Sequence, residues 1–314
     1  MKICMIGEGA QAETHMKALA AIDGVDVVTV AGGIEADTAA FAARWGIPHH
    51  SSSLSVCLEQ SGVEAVINTG PSQLHAEQAR TVIEHGKHLL LEIPMALNFA
   101  DCEELAELER KSGLTTMVCH TRHFVPGLRE LKRRVLDGEL HLHHIVCQTY
   151  FFRRVNINRF GQPRTWKDDL LWHHACHAVD MARWLLDDDE MSVWGQVGPD
   201  HAELGIPMDL SVAMKSPKTG AIVTIAHSFN NHGEIQTPMR FIGEEATYLL
   251  VNGMLSDHEG REIVKGTMQD AVVRQNTEFL SAIRNRREPE TSFGRSLVSM
   301  QYLHEIQRII DRAA

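Results

Sequence analysis

KICMIGEGAQA, residues 2–12, sets the apolar run Ile3–Ile6 against two glycines and the start of a helical stretch. The run reads as a buried strand and residues 11–22 as a helix, with Gly7-Glu8-Gly9-Ala10-Gln11-Ala12 between them as G-x-G-x-x-A. A glycine pattern alone carries little weight. Here it occupies a strand-to-helix junction, where backbone amides and a helix N-terminus can receive a pyrophosphate. Gly7, Gly9, Ala10 and Gln11 are therefore candidate cofactor-binding residues for a dinucleotide.

The pattern continues outward from this stretch. VDVVTV, AVINT, HLLLE and TTMVCH read as further strands, and residues 36–46, 72–86 and 99–112 as helices between them. Short apolar strands alternating with amphipathic helices predict a parallel sheet covered on both faces. After Pro126 the texture changes. A helix at about 126–138 leads into longer period-two segments: HHIVCQTYFFRR, SVWGQV, DLSVAMKS, AIVTIAHSFNN, MRFIG and TYLLVNG, with SPKTG as a hairpin turn. Helical patterns return at about 168–186, 268–285 and 294–313. The expected fold is α/β: an N-terminal Rossmann doubly wound domain at 1–121 and a C-terminal α+β domain at 122–314 with an open, largely antiparallel sheet. One face of that sheet needs a cover, and a homodimer is the expected one.

The second strand should end where the adenosine ribose lies, and an NAD site usually has an acid there. VVTVAGGIEAD puts Ala31, Gly32 and Gly33 at that point. With no carboxylate to repel a 2′-phosphate, NADP is expected, with NAD the alternative because no arginine stands in the loop.

A formal net charge of −11 disfavours broad nucleic-acid or anionic-membrane binding. Six cysteines without a C-x-x-C pair suit a reducing cytoplasm. Glycines interrupt the N-terminal apolar run before a signal-peptide core forms, and no stretch approaches the roughly 18 apolar residues of a spanning helix.

WHHACHAVD, residues 172–180, concentrates three of the chain's 19 histidines. On a regular helix His173 and His177 share a face. Only two of the three imidazoles then converge, and no H-E-x-x-H accompanies them, so no metal is expected. A neutral imidazole, with an ordinary pKa near 6.5, suits a base taking a hydroxyl proton.

VINTGPSQLHAEQARTVIEHGKHLLLEIP, residues 66–94, resembles the T-P-x-x-x-H…G-K-H-V-x-x-E-K-P stretch of the glucose-fructose oxidoreductase/inositol dehydrogenase family, Gfo/Idh/MocA. The glycine motif, this stretch and HHACH follow in the family's order. The resemblance implies an NAD(P)-dependent dehydrogenase whose second domain supplies the substrate pocket and the oligomer contact. It implies Thr69, Pro71, His75, Glu92 and Pro94 on the cofactor side, together with Gly32 and Gly33 at the end of the second strand.

Two departures stand out. Ile93 replaces the family's lysine, and His173 stands where the family has an aspartate four residues before its histidine. His177 is the expected base, with His173 orienting it or sharing the proton. QTYFFRR, GQPRTWKDDLLWHHACHAVD and SFNN resemble members that oxidise the cyclic hemiacetal of a carboxylated semialdehyde during aromatic degradation. A hemiacetal hydroxyl is more acidic than a simple alcohol and has less need of a lysine.

The implied partner is a small di- or tricarboxylic intermediate, whose carboxylates suit arginine. Arg122, Arg153 and Arg164 are the candidates, with Trp166 and His174 beside them. Arg153 and Arg154 are strand neighbours, so at most one reaches the pocket. Trp172 is read as pocket wall or core, Cys176 as a buried thiol, and Asn156, Asn158, Asn230 and Asn231 as loop-lining. The alternatives are a sugar or polyol dehydrogenase of the same family and a nucleotide-binding regulator without turnover.

Overall fold

Apolar strands between amphipathic helices build the first of two compact units, Met1–Cys119 with Val272–Leu297; the second is His120–Ala271 with Val298 onward. The computed structural model describes residues 1–157, 161, 163–164 and 166–313, so Asn158 lies outside the described residues.

In the first unit the chain runs β1 (Lys2–Ile6), α1 (Ala10–Leu19), β2 (Asp26–Ala31), α2 (Glu35–Trp45), β3 (His49–Ser51), α3 (Leu54–Leu58), β4 (Val63–Asn68), α4 (His75–Glu84), β5 (His88–Leu91), α5 (Phe99–Ser112) and β6 (Thr116–Val118). The sheet order is β3-β2-β1-β4-β5-β6, and every pairing is parallel. Ile3, Met5, Val66, Ile67, Leu89, Leu90 and Leu91 are fully buried, as strands covered on both faces require. Strand order reverses between β1 and β4, which places a ligand crevice at their C-terminal ends. β3 and α3 are absent from the sequence reading because segments this short show no period.

The second unit holds α6 (Pro126–Leu136), β7 (Leu142–Tyr150), a π-helical turn (Leu170–Ala175) running into α7 (Cys176–Leu186), and then β8 (Ser192–Val197), β9 (Asp209–Lys215), β10 (Ile222–Ser228), β11 (Met239–Gly243), β12 (Thr247–Val251), β13 (Met254–Asp257) and β14 (Glu262–Lys265). α8 (Met268–Asn285) and α9 (Phe293–Ala313) complete the chain. The sheet order is β14-β13-β12-β11-β7-β10-β9-β8, antiparallel throughout except that β7 and β10 run parallel. SPKTG closes the β9–β10 hairpin, with the Gly220 amide bonded to Ser216 O at 2.9 Å. α9 covers one sheet face closely enough that a Cβ on Gly195 would lie 2.6 Å from Ile306 Cγ2.

Candidate active site

The glycine turn of the first unit is shaped by close approach. Gly7 has φ +96°, and an added Cβ would lie 2.7 Å from Thr69 Oγ1. Thr69 in turn donates to Ile6 O through its amide at 2.9 Å and its hydroxyl at 2.7 Å. Gly9 precedes α1 with extended backbone and no side-chain cap, and a Cβ there would meet nothing within 4 Å. The opening amides of α1, from Ala10 and Gln11 onward, thus face open space at the crevice, as a pyrophosphate cradle requires.

Pro71 leads the short helical turn Ser72–Leu74 into α4. His75 is buried, with Nδ1 2.7 Å from Pro94 O and Nε2 3.0 Å from Gly70 O. Its described bonds clamp the loop after β4 to the loop after β5. Glu92 lies 3.1 Å from His15 Nε2, and its other oxygen accepts the Ile93 amide at 3.2 Å.

At the end of β2 the structure corrects a premise of the sequence reading. Glu8 brings a carboxylate there from the glycine turn, and its Oε1 accepts the Gly33 amide at 3.1 Å. A Cβ on Gly32 would lie 2.7 Å from Glu8 Oε2 and collide with Thr38, so this arrangement needs glycine at 32. Glu8 and Gly33 are 25 residues apart in sequence, which hides the pairing.

In the second unit Asp168, buried, is the hub of the polar cluster. It accepts from Arg164 Nη1 at 2.9 Å and from His174 Nε2 at 2.9 Å, and pairs with Arg153. Arg153 also lies over the Phe151 and Phe229 rings, and Arg164 over Trp166 at 4.8 Å. Two guanidiniums meet one carboxylate, leaving a surplus positive charge. Burial, with Arg164 beside it, pulls Arg153 down to about 10. Burial and then Arg153 hold His174 down to about 3, and burial and His174 do the same to His227.

His177 is held well below the ordinary imidazole value by burial and then by Arg122, His120 and His174, with Asp180 opposing. Its Nδ1 and Arg122 Nη1 are both buried without a hydrogen-bond partner among the described residues. Asp180 accepts from His123 Nε2 at 2.7 Å and Ser299 Oγ at 2.8 Å. Burial works against its charge, but His120 and His123 outweigh it and keep the carboxylate ionised.

The cluster therefore gathers Arg122, Arg153, Arg164, Trp166, His174 and His177. His173 borders it: its Nδ1 accepts the Asp169 amide at 3.0 Å and lies 4.0 Å from Asp168 Oδ1, and its ring lies 4.9 Å from Trp166. The segment that carries His173 and His174 is a π-helical turn and not the regular helix expected, and His174 is among the groups that act on His177. Arg154 bonds Asn230 and lies over Phe152, and Trp172 is buried with Nε1 donating to Gln307 at 3.3 Å. Cys176 is buried, and Asn156 donates to Trp166 O at 2.9 Å. Among the described residues, the His, Cys, Asp and Glu donors that come within 4.8 Å as a set of three are His15, Glu92 and Cys119. Sequence reading did not single out Asp168, Asp180 and His227, because their roles come from contacts such as Arg153–Asp168 and His123–Asp180 that sequence spacing does not show.

Residues 1–120 match the model of the Gfo/Idh/MocA oxidoreductase family with its NAD-binding Rossmann fold, and residues 126–268 match bacterial oxidoreductase C-terminal domains. The chain is 39% identical over 98% of both lengths to a 4-carboxy-2-hydroxymuconate-6-semialdehyde dehydrogenase of Sphingobium sp. strain NBRC 103272/SYK-6. The chain belongs to the Gfo/Idh/MocA family. It is an NAD(P)-dependent dehydrogenase.

Two solved structures share the fold. Levoglucosan dehydrogenase in complex with NADH and levoglucosan superposes with TM-score 0.87 at 16% identity, covering 100% of this chain and 98% of that one. An Agrobacterium radiobacter oxidoreductase with NAD+, L-tartaric acid and magnesium gives 0.86 at 14%, covering 100% and 97%. The Gly7–Gly9 cradle fits the dinucleotide of such dehydrogenases.

Proposed function

We propose that this dehydrogenase oxidises the cyclic hemiacetal of 4-carboxy-2-hydroxymuconate-6-semialdehyde to 2-pyrone-4,6-dicarboxylate, a step of the protocatechuate 4,5-cleavage route of aromatic degradation. Bound NAD(P) supplies the hydride acceptor. The observation that carries the reading is the pairing of two buried polar atoms without partners, Arg122 Nη1 and His177 Nδ1, with the cationic Arg153–Arg164–Asp168 cluster. Neutral His177 takes the hemiacetal hydroxyl proton as the carbon gives up hydride and becomes the lactone carbonyl. Arg122, and the surplus charge of Arg153 and Arg164, hold carboxylates in the bidentate geometry that guanidinium offers. Trp166 walls Arg164, and His174, neutral and bonded to Asp168, bears on His177 without adding charge. Ile93 leaves the proton to the imidazole.

NADP follows from the acid missing at the C-terminal end of β2, whereas Glu8 argues for NAD. We place the enzyme in the cytoplasm as a homodimer: its six cysteines are buried and not in disulfides, and one row of the second sheet's outer face includes Trp194, Ala213, Val146 and Leu249. Among the described residues no helix is long and apolar enough to cross a membrane. The test is reduction of NAD or NADP followed by absorbance, with the semialdehyde and with inositol. Turnover of the semialdehyde is expected. Turnover of inositol alone would overturn the substrate while leaving the family intact.

A further inference from the structure

Glu8 is the variable residue between the two glycines of the turn, yet its carboxylate lies at the end of β2. Oε1 accepts the Gly33 amide at 3.1 Å, the Ile34 amide also bonds the carboxylate, and Oε2 fills the space that a side chain on Gly32 would need. The position is the one where a doubly wound fold meets the adenosine ribose. The acid missing from the C-terminal end of β2 is thus delivered from the neighbouring loop.

Burial raises the Glu8 carboxyl above its ordinary value and the Gly33 and Ile34 amides oppose that, while acids nearby add to the negative potential a 2′-phosphate would meet. Glu35 and Asp37 occupy the first turn of α2, and Asp37 acts on Glu8 by repulsion. His50 Nε2 lies 3.4 Å from Glu35, and among the described residues no arginine or lysine pairs with Glu8. A ribose hydroxyl donates to such a carboxylate. A 2′-phosphate meets three acids, and the two amides that could receive it are already taken.

We propose that Glu8 receives the adenosine ribose hydroxyl and selects NAD over NADP, an inference that rests on the dinucleotide-binding reading of the first unit. Thr38 and Gly32 are its positioning residues. Gly32 leaves the space, and Thr38, bonded to Ile34 O through its hydroxyl at 2.8 Å, borders it.

Titration calorimetry with NAD and NADP, without substrate, tests this on the wild-type protein and on Glu8→Gln, which keeps shape and removes charge. Wild type is expected to bind NAD at least about tenfold tighter than NADP, the ratio that about 1.4 kcal/mol confers. Glu8→Gln is expected to shrink that ratio, chiefly by tightening NADP. A second measurement needs no variant: raising ionic strength screens the repulsion, so the wild-type preference for NAD should narrow. NADP binding as tightly as NAD to wild type, or an unchanged ratio in Glu8→Gln, overturns the inference and leaves dinucleotide binding standing. Binding of neither cofactor overturns both.

Discussion

His177, His174 and His227 are kept uncharged by burial and by the arginines around them. For His177 this sets a pH profile. An imidazole at its ordinary value would lose its basic form below about 6.5, whereas one held well below that value keeps it. kcat/KM for hemiacetal oxidation should therefore stay level from pH 8 to about 6 instead of falling. His177→Ala should lower kcat by about 10²- to 10⁴-fold, the usual contribution of a positioned base, with cofactor affinity unchanged by calorimetry. A steep fall in kcat/KM near pH 6.5, or an active His177→Ala, would remove the imidazole from this role.

The same shift governs stability. Folded-state values below the unfolded one mean that, under about pH 6.5, the unfolded chain takes up protons that the native imidazoles refuse. Stability is fully present above that pH and falls as pH drops toward about 3, where His174 and His227 finally charge. Urea midpoints at pH 7.5, 6 and 5 should decline steadily, by up to about 1.4 kcal/mol per pH unit for each histidine. A flat series would contradict the neutral, buried state. His177 was legible as a base from its sequence neighbourhood. Asp168 was not, because its role comes from Arg153, fifteen positions upstream on the chain.

At the scale of elements, the π-helical turn before α7 carries both His173 and His174 to Asp168. Asp169 starts it, with Oδ1 accepting the Leu171 amide at 2.8 Å and the Trp172 amide at 2.7 Å. Asp169→Ala strands both amides and should cost about 1–2 kcal/mol of stability, whereas Asp169→Asn, which still offers an acceptor, should cost much less. If the cap positions the adjacent Asp168, KM for a carboxylated substrate should rise more in the alanine variant than in the asparagine variant. Equal effects on both measures would show that the cap does not position the cluster. Most elements follow from periodicity, and α5 runs over the 99–112 expected of it. The π-helical turn does not, because a 3.6-residue apolar pattern cannot signal one extra residue in a turn.

For the whole molecule, periodicity says that a helix buries one face but not against which partner, so the return of Val272–Leu297 to the first unit was not legible in the amphipathic pattern of α8. The open sheet was legible, because alternation along β7 to β12 gives each strand one buried and one outward side. Its outward row crosses seven strands through Trp194, Ala213, Thr224, Val146, Arg240, Leu249 and Ser256. Trp194 is 47% exposed, and Ile222 and Met254 are exposed too. Exposed apolar side chains set among Thr224, Arg240 and Ser256 give this face the mixed character of an association surface, and the dimer proposed above would cover it with a second copy of the chain. Light scattering should therefore give twice the chain's mass at micromolar concentration. Val146→Glu, set mid-row, puts a carboxylate into that face and should shift the protein toward monomer, whereas Glu259→Gln on the β13–β14 turn should not. A wild-type monomer, or a Val146→Glu dimer, would mean that this face is covered in another way.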